Sequence, residues 1–164
     1  ASDWSSDVCS SDLTSIDFPS GITSIGASAF NNCSGITSIH LPDSVTFLGN
    51  SAFDGCTSIT TYTLPNNDSV VFQNRIFSGW NITELVVTKG SFTGSAVIAS
   101  CSNLTKVTLP ADLGSYNIFY QCPAITEIVY LGTSAQWEAG KDTWIKASLA
   151  GFDLSSVTVT CSDD

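Results

Sequence analysis

Two stretches of this chain, ITSIGASAFNNCSGITSIHLP over Ile22–Pro42 and VTFLGNSAFDGCTSITTYTLP over Val45–Pro65, align without a gap. Phe30 recurs as Phe53, Cys33 as Cys56, Ile36 as Ile59 and Pro42 as Pro65, each at an offset of 23 residues. Self-similarity at such a period is the signature of a repeat architecture, in which each unit is too small to bury its apolar side alone and stacking buries a continuous core.

The pattern extends along the chain with drift. The Phe column continues as Phe77, Ile98 and Phe119, and the Cys column as Trp80, Cys101 and Cys122. Apolar pairs follow each Cys-column residue: Ile36/Ile39, Ile59/Tyr62, Ile82/Leu85, Leu104/Val107 and Ile125/Ile128, with Leu13/Ile16 as an earlier copy. Short alternating stretches such as SIHL and KVTL read as strands, and the proline that closes four of the units forbids their continuation. The rest of each unit suits a tight turn and a short helical or extended return segment. Asn66-Asn67 reads as an insertion, and Gly26 has no counterpart near Phe77, so the coil is expected to lose regularity over residues 66–100.

These repeats resemble the BspA-type leucine-rich repeats of bacterial surface proteins. Ile25-Gly26, Ala29-Phe30 and Cys33 carry the likeness, as do Leu48-Gly49, Ala52-Phe53 and Cys56, and YLGTSAQW from Tyr130 with VTVTC from Val157 is similar to that family's terminal segment. The resemblance implies a leucine-rich-repeat solenoid of about five to six coils over residues 13–129, with short parallel strands stacked in a curved sheet and a C-terminal cap over 130–164. It further implies a secreted or cell-surface protein that binds a protein or a host or neighbour-cell surface ligand as an interaction or adhesion module. A structural spacer carrying another domain is the alternative, and a cysteine hydrolase a remote third.

Residues 1–12 read differently. Asp3–Leu13, DWSSDVCSSDL, resembles the conceptual translation of a sequencing-adapter oligonucleotide, so this segment is expected to be non-native and to add little to the core. Cys9 would then carry no meaning, and a run of true repeats would precede Leu13.

Composition narrows the function. The 164 residues carry a net charge of −10, with 12% charged and 43% hydrophobic residues. Such a chain repels phosphate backbones, which argues against nucleic-acid binding. It also lacks the basic cluster or long apolar run that membrane association needs. The Cys spacing is unlike the close pairs of a zinc site, and the residues of the Cys column are expected to be buried free thiols. His40 is the single histidine, and it should point away from the core, so a Cys33–His40 nucleophilic pair is not expected. No phosphate loop, nucleophile elbow or paired-carboxylate motif occurs, so no catalytic residue, metal or cofactor is expected. Asn32, Asn81 and Asn103 match glycosylation acceptors but read as turn residues.

With Ile16, Ile39, Tyr62, Leu85, Val107 and Ile128 facing inward, alternation turns the other strand residues outward. These are Ser15, Asp17, Ser38, His40, Thr61, Thr63, Glu84, Val86, Lys106, Thr108, Glu127 and Val129, the candidate binding face. In the cap, Thr133 with Gln136 reads as a capping box opening a helix that Gly140 ends, and Trp137 and Trp144 should cover the last coil. An aromatic ligand site at those tryptophans is the alternative.

Overall fold

The structure, a computed structural model, describes Cys9, residues 13–114 and residues 116–164. The expected non-native segment 1–12 therefore lies outside the described residues except at Cys9.

The chain winds as a coil whose paired strands are all parallel. One face is built from β1 (Ser15–Asp17), β3 (Ser38–His40) and β5 (Thr61–Thr63), then from β8 (Glu84–Val86), β11 (Lys106–Leu109), β13 (Glu127–Tyr130) and β14 (Thr158–Cys161). A second column stacks β2 (Ser24–Ile25), β4 (Phe47–Leu48), β6 (Val71–Phe72) and β9 (Ser91–Phe92). A third stacks β7 (Phe77–Ser78), β10 (Ile98–Ala99) and β12 (Phe119–Tyr120). The return segments are thus extended rather than helical. Each gives one or two residues to a ladder before turning.

The corners explain the pattern around the Phe column. Two residues before it the backbone is left-handed at Ser28, Ser51, Arg75, Ala96 and Asn117, with φ between 50° and 57°. Two residues after it the same holds at Asn32, Gly55, Gly79, Ser100 and Gln121. A pair of left-handed residues reverses the chain within a few positions, and only small or locally hydrogen-bonding side chains enter that region cheaply. Between the two corners the backbone pairs with the next coil: Phe30 N–H donates to Ala52 O, Phe77 to Val97 O and Ile98 to Ile118 O.

Inside, the repeat columns become stacks. Phe30 and Phe53 lie face to face at 5.3 Å, and Trp80 meets Phe53 and Phe77 edge-on at 6.4 and 5.2 Å. The Cys column has a hydrogen-bonding task. The Cys56 thiol donates to Phe30 O at 3.1 Å, Cys101 to Phe77 O at 3.3 Å and Cys122 to Ile98 O at 3.7 Å. Trp80, which replaces Cys, sends its indole N–H to the equivalent carbonyl of Phe53 at 3.2 Å. A buried carbonyl left without a donor is costly, and at Cys56, Trp80, Cys101 and Cys122 the column residue supplies that one N–H or S–H.

One expectation for this column is corrected. Cys33 is not a free thiol: it forms a disulfide with Cys9, whose Cα lies 5.0 Å away. Cys9 precedes Cys33 by 24 residues, one coil, and neighbouring rungs place Cα atoms within disulfide reach. Cys56, Cys101 and Cys122 are free and buried.

The cap closes the solenoid through helix ends. Helix α1 (Ser134–Trp144) opens on the capping box, with Thr133 Oγ1 accepting from Gln136 N–H and Gln136 Oε1 accepting from Thr133 N–H. It does not end at Gly140. The Trp144 ring lies over Gly140, where any Cβ would collide with it, and the helix continues for that contact. Helix α2 (Ala147–Ala150) follows and ends on left-handed Gly151. The carbonyls of Thr143, Trp144, Leu149 and Ala150 accept N–H groups of Asn117, Ile118, Gln121 and Cys122. The last C=O groups of a helix lack partners within it. Here they continue the ladder of the final coil. Trp137 is buried, and Tyr130, Trp137 and Trp144 form a mutually packed trio with centroids 5.5–6.0 Å apart.

Candidate functional site: the strand face

The outward side chains form two rows, set by register. In the first block Ser15, Ser38 and Thr61 line up across β1, β3 and β5, as do Asp17, His40 and Thr63. Ser38 is half-buried and the other five are exposed. In the second block Glu84, Lys106 and Glu127 line up across β8, β11 and β13, beside Val86, Thr108 and Val129.

The second block is the more structured. Lys106 Nζ sits 2.9 Å from Glu127 and 3.9 Å from Glu84, so one cation is shared by carboxylates on both neighbouring strands. The hydrogen bond and charge of Glu127 hold the Lys106 ammonium above its ordinary pKa. Thr108 departs from expectation: it is buried, because Val86 and Val129 flank it in register at rung spacing and cover it. Val86 itself remains 39% exposed. The face therefore carries an apolar row beside a charged one, and β14 extends it by Thr158 and Thr160, in register with Glu127 and Val129. Those two threonines were absent from the expected face; the alternation of VTVTC was the signal that could have included them.

The blocks are not continuous. Strands β5 and β8 do not pair, and the Tyr62 hydroxyl stands between them, accepting the Val86 N–H at 2.7 Å and donating to Glu84 O at 3.3 Å. Tyr62 holds the inward position that Ile39 and Leu85 hold elsewhere, but its ring is longer and leans on Trp80 at 5.9 Å. Desolvation raises the pKa of this phenol, so it stays protonated as a donor. The inserted Asn67 donates to Asp43 O and Val45 O, holding the following loop on the preceding coil. The gap leaves a cleft of about 290 Å³ lined by Tyr62, Leu64, Pro65, Val86 and Lys89, among others.

The Cys–His pairing is absent: His40 is exposed on the face, and Cys33 is buried and joined to Cys9. Burial pushes the Cys56 thiol up to about 12, the opposite of a nucleophile. Among the described residues no group of three or more His, Cys, Asp or Glu side chains is placed to hold a metal ion, and no helix is long and apolar enough to cross a membrane.

The repeated ladder, the Phe and Cys columns and the I-G-x-x-A-F-x-x-C corners match the model of the BspA-type leucine-rich repeat region in six copies over residues 7–126. The chain belongs to the BspA-type leucine-rich repeat family. The match begins within the segment that resembles adapter sequence. Solved structures agree on the fold. The T. pallidum leucine-rich repeat protein TpLRR is 25% identical with a TM-score of 0.62, covering 71% of this chain and 58% of that one. A leucine-rich cell surface protein of Faecalibacterium prausnitzii A2-165 is 23% identical with a TM-score of 0.69, covering 77% of this chain and 34% of that one. The pneumococcal vaccine antigen PcpA is 16% identical with a TM-score of 0.65, covering 91% of this chain and 36% of that one. The chain thus spans from 34% to 58% of the length of these relatives. No curated protein matches it significantly.

Proposed function

We propose that this repeat array is an extracellular protein-interaction module, carried by a secreted or surface-displayed bacterial protein, that binds a protein ligand on a host or neighbouring cell through its strand face. The observation that carries this reading is the second block of that face. Exposed Val86 lines the cleft and half-buried Val129 lies two strands further along the same row, with Thr108 buried between them and Glu84, Lys106 and Glu127 alongside. A small apolar patch with a charged rim is the anatomy of a modest protein interface. Membership of a family with surface-protein relatives supports the location. The net charge of −10 disfavours nucleic acid as the partner, and the raised Cys56 thiol and outward His40 leave a cysteine hydrolase without its machinery.

Binding of labelled chain to intact epithelial or bacterial cells tests the reading. Saturable binding is expected, abolished by protease treatment of the cells and weakened at least tenfold by V86E or K106E. Replacement of exposed Asp142 on the cap should leave it unchanged. Absence of saturable binding would favour a spacer role, and binding unaffected by both face variants would move the interface elsewhere.

A further inference from the structure

Cys101 and Cys122 stack in the same column one coil apart, as Cys9 and Cys33 do. Pairing of Phe77 with Ile98 and of Ile98 with Phe119 holds their coils in register, and each cysteine follows its column residue by three positions. Both are fully buried, and their thiols take equivalent places one coil apart, Cys101 Sγ 3.3 Å from Phe77 O and Cys122 Sγ 3.7 Å from Ile98 O. Adjacent rungs separate Cα atoms by about 4.8 Å, inside the range that a disulfide spans. The other cysteines lack this arrangement. Cys56 lies between Cys33, which is bonded, and Trp80, and Cys161 lies on the strand face.

We propose that Cys101 and Cys122 are a second inter-coil disulfide site, closed by exchange with a small-molecule or protein disulfide. One thiolate attacks the donor disulfide and displaces one donor thiol, giving a mixed disulfide. The second thiolate attacks the protein sulfur of that intermediate and releases the other donor thiol. The two cysteines lose two protons and two electrons, and the donor becomes two thiols.

The cap decides when this happens. Cys122 N–H donates to Ala150 O, and Gly151 packs against Gln121 and Cys122, so docked α2 shields the pair from any oxidant. Exchange takes place while the cap is undocked, and docking then seals the bond beneath it. The result ties the fourth coil to the fifth at the point where the ladder passes into the helices.

The test is refolding of the reduced full chain in a glutathione redox buffer, isolation of the folded monomer and tryptic mass mapping without reduction. Lys106 separates the two cysteines, so a bonded pair appears as the peptide ending at Lys106 joined to the one ending at Lys141, and reduction splits it. That joined species is expected to replace the free peptides, with Cys56 and Cys161 alkylated on unfolding. In Cys101→Ser the joined species should vanish and Cys122 become alkylated. Full alkylation of Cys101 and Cys122 in the oxidatively refolded wild type, or their recovery joined to Cys56 or Cys161, overturns the proposal.

Discussion

The Tyr62 hydroxyl bonds both Val86 N–H, at 2.7 Å, and Glu84 O, at 3.3 Å, and so replaces with a side chain the rung that backbone supplies elsewhere on the face. Tyr62→Phe keeps the ring on Trp80 and removes both bonds. The expected cost is about 1 kcal/mol, near the ordinary worth of a hydrogen bond because the site is open to water. Urea unfolding measures it, and faster hydrogen exchange at Val86 should accompany it. An unchanged exchange rate would show that the hydroxyl does not hold this joint.

Ala96 adopts φ 50° at the corner before the Phe column, a left-handed backbone that glycine enters most cheaply. Left-handed geometry costs an alanine roughly 1–2 kcal/mol, and glycine offsets part of that relief through the entropy of the unfolded chain. Ala96→Gly is therefore expected to stabilise by about 0.5 kcal/mol. A lower thermal midpoint would contradict the corner argument.

Gly140 is a helix-interior glycine, and replacement by alanine ordinarily improves a helix by about 1 kcal/mol. Here the added methyl meets the Trp144 ring. Gly140→Ala is expected to lose about 1 kcal/mol net through overpacking and to perturb the near-ultraviolet dichroism of the tryptophans. A stabilised variant with unaltered dichroism would mean that Trp144 does not rest there.

Asp163 receives hydrogen bonds from the Ser134 N–H and hydroxyl, which hold its carboxyl below the ordinary value of 3.8. A depressed folded pKa contributes stability that is fully present above the unfolded value and is lost as pH falls through the folded one. The cap should therefore loosen on acidification below about 3.8, seen as exposure of Trp137 and Trp144 in fluorescence. Asp163→Asn should weaken the cap at neutral pH and flatten that acid response. An identical acid curve in the variant would assign the transition to other groups.

Much of this was legible in the sequence because the signals are periodic. The 23-residue offset gave the stacking, alternation placed Ile39, Leu85 and Val107 inward, and Thr133 with Gln136 marked the start of the cap helix. What was hidden depends on neighbours distant in sequence. Gly140 reads as a helix stop until Trp144 is seen over it. Thr108 reads as exposed until Val86 and Val129 are placed on either side. Cys33 reads as free only if Cys9 is dismissed with its segment. Tyr62 reads as one more inward residue, and nothing local in the sequence reveals that its hydroxyl ends one block of the face and begins another.

The ladder also governs how the chain can assemble. Its rungs join residues such as Ser15 to Ser38, Val71 to Ser91 and Lys106 to Glu127, each one coil apart, and the longest step, Glu127 to Thr158, spans the cap. Loop-closure entropy changes slowly with length, so each new coil faces nearly the same closure penalty as the one before. Folding can therefore proceed as zippering along the axis, one rung templating the next, and the helical cap adds only a slightly longer closure to the same series.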